Sequence, residues 1–140
     1  LSRKILDSAT AYTLDRKQFG KPIGSFQAVK HMLAQAAIEI EFSKATLYRA
    51  AYSLDNNNPL QKLHAAQAKL QAIDACEMVS RNSMQAHGAM GYTWEMDLHI
   101  FIRRGWSYKQ VWGNKSLLEN YIMYQLEKDL PKLGSTYTFL

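Results

Sequence analysis

Two polar stretches hold most of the side chains that could bind a ligand. The first, Arg16-Lys17-Gln18-Phe19-Gly20, sets a forked cation beside an aromatic ring, and Gln27 follows shortly after. A guanidinium can hold a pyrophosphate through two parallel hydrogen bonds while a ring covers a base. The second, Gln85-Ala86-His87-Gly88-Ala89-Met90-Gly91-Tyr92, places two glycines three positions apart behind a Gln and a His. Glycine permits backbone angles and close approaches that other residues do not, so something flat or anionic could pack on the backbone here. Plainer readings stand beside these. Arg16 could bond the carbonyls at a helix C-terminus, and Phe19 could plug the end of a bundle. Gly88 or Gly91 could simply close a helix in a Schellman-type turn.

Other chemistries find less support. No two of His31, His64, His87 and His99 have the three- or four-residue spacing of a helical metal pair, and no Glu-x-x-His occurs. A metal site is therefore not expected. Ser80 and Ser83 sit in a helical pattern without a strained elbow around either. Neither G-x-G-x-x-G nor a P-loop is present.

The elements that must position the two stretches are helices. Leu1, Ile5, Leu6, Ala9 and Tyr12 share one face of a first helix over residues 1–17. Two glycines and a proline within 18–25 then make a loop, with Ser25 as the expected N-cap of the next helix. From 26 to 54 no Pro or Gly intervenes, and Phe26, Val29, Leu33, Ala36, Ala37, Ile40, Leu47 and Ala51 form one stripe. At 1.5 Å per residue this helix spans about 43 Å, which in so short a chain implies a bundle. Asp55-Asn56-Asn57-Asn58-Pro59 ends it.

A second long helix covers 60–87, with Leu63, Ala66, Leu70, Ile73 and Val79 facing the core. Ala65, Ala68, Ala72 and Ala75 thin it for close packing. A fourth helix runs from about 96 towards Val111, and Gly113-Asn114 interrupts the pattern. A fifth, carrying Leu117, Leu118, Tyr121, Ile122 and Leu126, reaches about 128, and Pro131 and Gly134 end the order. The fold class is all-α: one domain over 1–140, an antiparallel up-and-down bundle of four main helices with a short C-terminal helix.

Composition sets wider limits. The 140 residues can bury a real core, and 47% hydrophobic with 21% charged residues is ordinary globular composition. The net charge of +5 is spread along the chain, densest at Arg103, Arg104 and Lys109, so an anionic partner is permitted without being selected. A basic helical module for nucleic acid would need a concentrated cationic face, which this scatter argues against. Cys76 is alone, reads as a small buried hydrophobe, and allows no internal disulfide. No apolar run approaches the roughly 20 residues of a membrane span, and no signal-peptide pattern is seen. The chain opens inside a helical pattern without a cap or an initiating Met, as a fragment would.

Taken together, Tyr12-x-x-x-Arg16-x-Gln18-Phe19-Gly20-x-Pro22-Ile23-x-x-Phe26-Gln27 and Gln85-x-His87-Gly88-x-x-Gly91-Tyr92-Thr93-x-Glu95 resemble the C-terminal helical domain of the acyl-CoA dehydrogenases. The likeness covers nearly the whole chain. It implies an FAD flavoprotein oxidoreductase that takes a proton from the α carbon of an acyl-CoA thioester while a hydride leaves the β carbon. It also implies an oligomer, a dimer of dimers of one or two kinds of subunit, with FAD shared across a subunit interface. The implied location is the cytoplasm of a bacterium or the mitochondrial matrix of a eukaryote. By motif position, Arg16, Gln18, Phe19, Gln27, Gln85, Ala86, His87, Gly88, Ala89 and Asn114 resemble the family's FAD contacts, and Gly113 a substrate contact.

Several departures bear on activity. The usual pair of adjacent glycines in the second stretch is here Gly88-Ala89. The family's Tyr-Glu-Gly-Thr segment aligns with Val111-Trp112-Gly113-Asn114, so Trp112 stands where many members carry the catalytic glutamate. An indole is a donor only and cannot accept the α proton. No catalytic base is identified among these residues; Glu95 and Glu119, the nearest carboxylates in sequence, read as solvated. Two functions follow from the resemblance: part of an active dehydrogenase, or a partner subunit that has lost the base. The 140 residues alone should be catalytically inert.

Overall fold

The computed structural model describes residues 1–128 of the 140. Helix α1 covers Ser2–Asp15, α2 Gln27–Asp55, α3 Gln61–His87, α4 Leu98–Gln110 and α5 Lys115–Lys128. The expected helix ends at Pro131 and Gly134 lie outside the described residues.

Helix α3 is the axis against which the other helices pack. It runs antiparallel to α2, as three cross-links at successive levels show: Asn82 Nδ2 donates to the Met32 carbonyl (2.8 Å), Gln71 Nε2 donates to Glu39 (3.2 Å), and Ser53 Oγ meets His64 Nδ1 (2.6 Å). Helix α1 lies parallel to α3, with Leu1 near Gly105 of α4 and Tyr12 over His87. One core joins Ile5 and Leu6 of α1, Ala36 and Ile40 of α2, Val79 of α3, and Leu98 and Ile102 of α4. Each large aliphatic side chain so buried stabilises the fold by about 1.5–3 kcal/mol. A second cluster joins Leu63, Ala66 and Ile73 of α3 to Leu118 and Ile122 of α5.

The structure corrects several expectations. The 18–25 segment is not all loop: strands β1 (Lys17–Gln18) and β2 (Lys21–Pro22) pair antiparallel, and a 3₁₀ turn follows at Ile23–Ser25. Ser25 does not cap α2. Its hydroxyl donates to the Pro22 carbonyl (2.7 Å), and Phe26 holds the cap position without a side-chain bond. Leu47 and Ala51 are exposed, not buried. The reason is reach: Arg3, near the start of α1, already meets Glu41 (3.4 Å), so α1 covers only the first half of α2. Ala65 and Ala72 are exposed as well, while Ala68 and Ala75 are buried. Cys76 is half-buried, pressed under α4 where a Cβ on Gly105 would stand 2.6 Å from its sulfur.

Candidate functional site

Both polar stretches lie at one end of the bundle, because α1 and α3 are parallel and finish together. At the end of α1 the chain reverses within two residues. Gln18 pairs with Lys21, and Phe19 (φ 52°) and Gly20 (φ 80°) form the turn between them. Positive φ at both central positions is the type I′ hairpin geometry. It normally selects Asn-Gly; here the first position carries a phenylalanine whose side chain is 90% exposed. Among the described residues, Phe19 therefore plugs no end of the bundle. Its ring meets Phe26 edge-on (6.1 Å), and Lys21 Nζ lies 4.5 Å from the Phe26 centroid.

Arg16 sits at the C-cap of α1. Its backbone N–H bonds the Tyr12 carbonyl (2.9 Å), and its own carbonyl accepts from Ile23 N–H (2.8 Å), which fixes the base of the hairpin. Its guanidinium is exposed and makes no hydrogen bond or ion pair with any described residue, so it does not bond helix carbonyls. Gln18, Gln27 and Gln85 are exposed on the same end. Gly24 ties the hairpin to α1, since a Cβ there would stand 3.0 Å from the Thr13 carbonyl oxygen.

The glycines of the second stretch have different jobs. Gly88 caps α3 at φ 60°, ψ −137°, a conformation that side-chain-bearing residues rarely adopt, and open space lies where its Cβ would be. Gly88 thus stops the helix, but not in the Schellman-type turn expected, because its ψ lies far from the left-handed helical region that turn needs. Gly91 is buried in the 3₁₀ turn Gly88–Tyr92, where a Cβ would come within 2.9 Å of the Met84 carbonyl oxygen. Ala89 is exposed, whereas Ala86 and His87 are buried. The His87 ring stacks on Tyr12 at 4.4 Å, and Nδ1 donates to the Ser83 carbonyl (2.7 Å). Its other ring nitrogen, Nε2, is buried without a partner among the described residues. A ligand lying over this end meets Gly88 and Ala89 first, and the His87 side chain only from beneath.

Gly113 and Asn114 lie elsewhere. Lys115, the next residue, bonds Asp74 (2.6 Å), which is eleven positions, about 16 Å, back along α3 from Gln85. The bond to Asp74 is the main cause holding the Lys115 ammonium above its ordinary range. Asn114 Oδ1 accepts from Leu117 N–H (3.0 Å) and caps α5. Trp112 has φ 59° and Gly113 φ 110°, and the Trp112 side chain is 90% exposed. No sequence signal marked this left-handed tryptophan. Glu95 and Glu119 are exposed, and Glu119 pairs with Lys115 at 3.9 Å. Beside the turn, a cleft of about 250 Å³ opens between α1, α3 and α4, lined by Leu1, Ala72, Ile73, Cys76 and Tyr108 among others. Among the described residues no cluster of His, Cys, Asp or Glu could hold a metal, and no helix is long and apolar enough to cross a membrane.

Comparison with known proteins adds the family. A profile described as acyl-CoA dehydrogenase, C-terminal domain, matches residues 1–127. The acyl-CoA dehydrogenase FadE34 of Mycobacterium tuberculosis is 41% identical over 105 residues, 74% of this chain and 15% of that protein. A glutaryl-CoA dehydrogenase of Desulfococcus multivorans is 36% identical over 117 residues, 84% of this chain and 30% of that one. Among solved structures, a glutaryl-coenzyme A dehydrogenase in complex with glutaryl-CoA superposes with a TM-score of 0.82 at 34% identity, covering 91% of this chain and 32% of the other. Butyryl-CoA dehydrogenase from Megasphaera elsdenii superposes at 0.85 with 27% identity, over 90% and 33%. The chain spans about a third or less of the length of these relatives.

Proposed function

The chain belongs to the acyl-CoA dehydrogenase family, and we propose that residues 1–140 act as one helical-bundle domain of a longer FAD-dependent enzyme that desaturates an acyl-CoA thioester. The observation that carries this is the free Arg16 guanidinium beside the exposed Phe19, at the same end as the open backbone of Gly88. A cation without an internal partner, an apolar face and an unshielded glycine suit the pyrophosphate and adenosine half of a dinucleotide. FAD, when bound, supplies the hydride acceptor of the reaction. This chain's part is to bind and orient: Arg16 holds phosphate oxygens, Phe19 covers an apolar surface, and Gln18, Gln27 and Gln85 offer amides to polar edges. Gly88 and Ala89 supply the backbone against which the ligand lies. The turn that carries Gly113 and Asn114 is too distant along α3 to reach the same adenosine half, so it serves a different part of the assembly, and the cofactor site is completed across a subunit interface.

The test uses the full-length polypeptide. It should purify with visible flavin absorbance, and Arg16→Ala should weaken FAD binding by about 1.5–3 kcal/mol, roughly ten- to a hundredfold. Unchanged affinity would remove Arg16 from the site, and a full-length protein without flavin would remove the cofactor reading. A second reading, a partner subunit without a base, is favoured by one observation: Trp112 fills the turn, and Glu95 and Glu119 both face solvent. Flavin binding without turnover of any acyl-CoA would select it.

A further inference from the structure

Thr10, Ser43, Thr46 and Ser107 lie within helices and donate to a carbonyl three or four positions back, at 2.7–3.2 Å. Ser80 and Ser83 of α3 do not. Both are buried, and neither hydroxyl has a hydrogen-bond partner among the described residues. Such groups are uncommon, because stripping a hydroxyl of water costs free energy that a partner normally offsets. Ser83 is fully enclosed, but Ser80, at 4% exposure, lines a cleft of about 300 Å³ between α3 and α4. The other lining residues are Glu77, Arg81, Met84 and Trp106. The close crossing at Gly105, where a Cβ would stand 2.6 Å from the Cys76 sulfur, draws α4 onto α3 and so brings the next residue, Trp106, alongside Ser80.

We propose that this cleft binds a small aromatic carboxylate. The guanidinium of the exposed Arg81 makes no hydrogen bond or ion pair with any described residue, and its planar fork matches the two oxygens of a carboxylate. Glu77 does not occupy it, because Glu77 accepts from Lys109. The buried Ser80 hydroxyl can donate to the same carboxylate from within the cleft. The Trp106 ring is 54% exposed and offers a face on which a flat ring can stack, and the Met84 thioether makes favourable contacts with aromatic rings. The volume lies at the lower end of ligand pockets, so it suits a single ring and not a dinucleotide. A phosphate would set a second negative charge near Glu77 and leave the indole uncovered. Arg81 lies seven positions, about 10 Å, back along α3 from Gly88, and the site stands independently of the cofactor reading.

The experiment titrates the full-length polypeptide with benzoate by calorimetry, with benzyl alcohol as the uncharged probe and inorganic phosphate as the ringless one. Benzoate should saturate with a Kd on the order of 0.1–1 mM, within reach of so small a ligand. Benzyl alcohol and phosphate should each bind at least about tenfold more weakly, for want of the charged pair or of the stacked ring. Arg81→Gln should weaken benzoate by about ten- to a hundredfold, and Ser80→Ala and Trp106→Ala by about three- to tenfold, with helical circular dichroism unchanged. Arg81→Gln should leave flavin absorbance as it is, and Arg16→Ala should leave benzoate affinity as it is, so this site and the cofactor reading fail separately. Four results would overturn the proposal: benzoate that never saturates, affinity unchanged in Arg81→Gln, either control probe binding as tightly as benzoate, or benzoate binding lost in Arg16→Ala, which would move the anion to the hairpin end.

Discussion

Phe19 and Trp112 occupy the same kind of position in two parts of the molecule. Each is a bulky aromatic held at left-handed φ, 52° and 59°, each precedes a glycine at positive φ, and each is 90% exposed. Such angles cost a side-chain-bearing residue roughly 1–2 kcal/mol. What differs is the company. Phe19 stands at the tip of a paired hairpin beside a guanidinium with no partner among the described residues, while Trp112 stands before a helix cap whose Lys115 holds Asp74 and Glu119. One backbone device thus displays an aromatic beside an unpaired guanidinium in one region and, in the other, ahead of a lysine already paired with Asp74 and Glu119. The first suits anion recognition; the second suits a wall or a contact and not proton transfer.

The largest change expected on the hairpin side comes from its neighbour in space. Gly88→Ala places a methyl group in open space yet forces a backbone angle few residues adopt, and should destabilise the domain by about 1–3 kcal/mol in urea titrations. No loss would mean that the cap relaxes freely and does not fix the loop. The paired substitutions Phe19→Asn and Trp112→Asn sharpen the comparison directly. Asn visits the left-handed region readily, so each should stabilise its turn by about 0.5–1 kcal/mol. Only the Phe19 change should also weaken flavin binding; if both or neither does, the two turns are not functionally distinct. The smallest effect is expected at the far end of α3, away from both turns. Burial of His64 beside Ser53, and then the nearby Arg49 charge, lower its affinity for protons below the usual value near 6.5. Its neutral form is thus favoured in the folded state. Stability from this pair is present above about pH 6.5 and declines as pH falls through that value, when the unfolded chain takes up the proton first. A His64→Gln variant should flatten that slope in thermal melts without altering flavin binding.

Much of the architecture was legible in residue order. The uninterrupted pattern from 26 to 54 became Gln27–Asp55, and the pattern from 60 to 87 became Gln61–His87. Apolar periodicity reports which face of a helix can be buried, but not how far along that face a neighbour extends. That is why Leu47 and Ala51 were expected in the core and are not. The hairpin escaped notice because Phe-Gly lacks the Asn-Gly signature of its turn type, and Lys-Gln and Lys-Pro carry no alternation. Of the candidate site, the exposed Arg16, Phe19 and Gln85 were readable as a cation, an aromatic ring and an amide at or beside breaks in the helical pattern. The buried stack of His87 on Tyr12 was not, since it depends on α1 and α3 lying parallel.

That stack sets a dimension. Tyr12 and His87 stand 75 positions apart in the chain, yet the hairpin and the glycine turn are gauged against each other by two stacked rings, 4.4 Å centre to centre. Because the stack fixes the two stretches beforehand, a ligand lying over this end meets groups already ordered and bears little of the entropy of arranging them. Truncating either ring would alter the spacing of the hairpin and the glycine turn, and truncating His87 would also remove its bond to the Ser83 carbonyl.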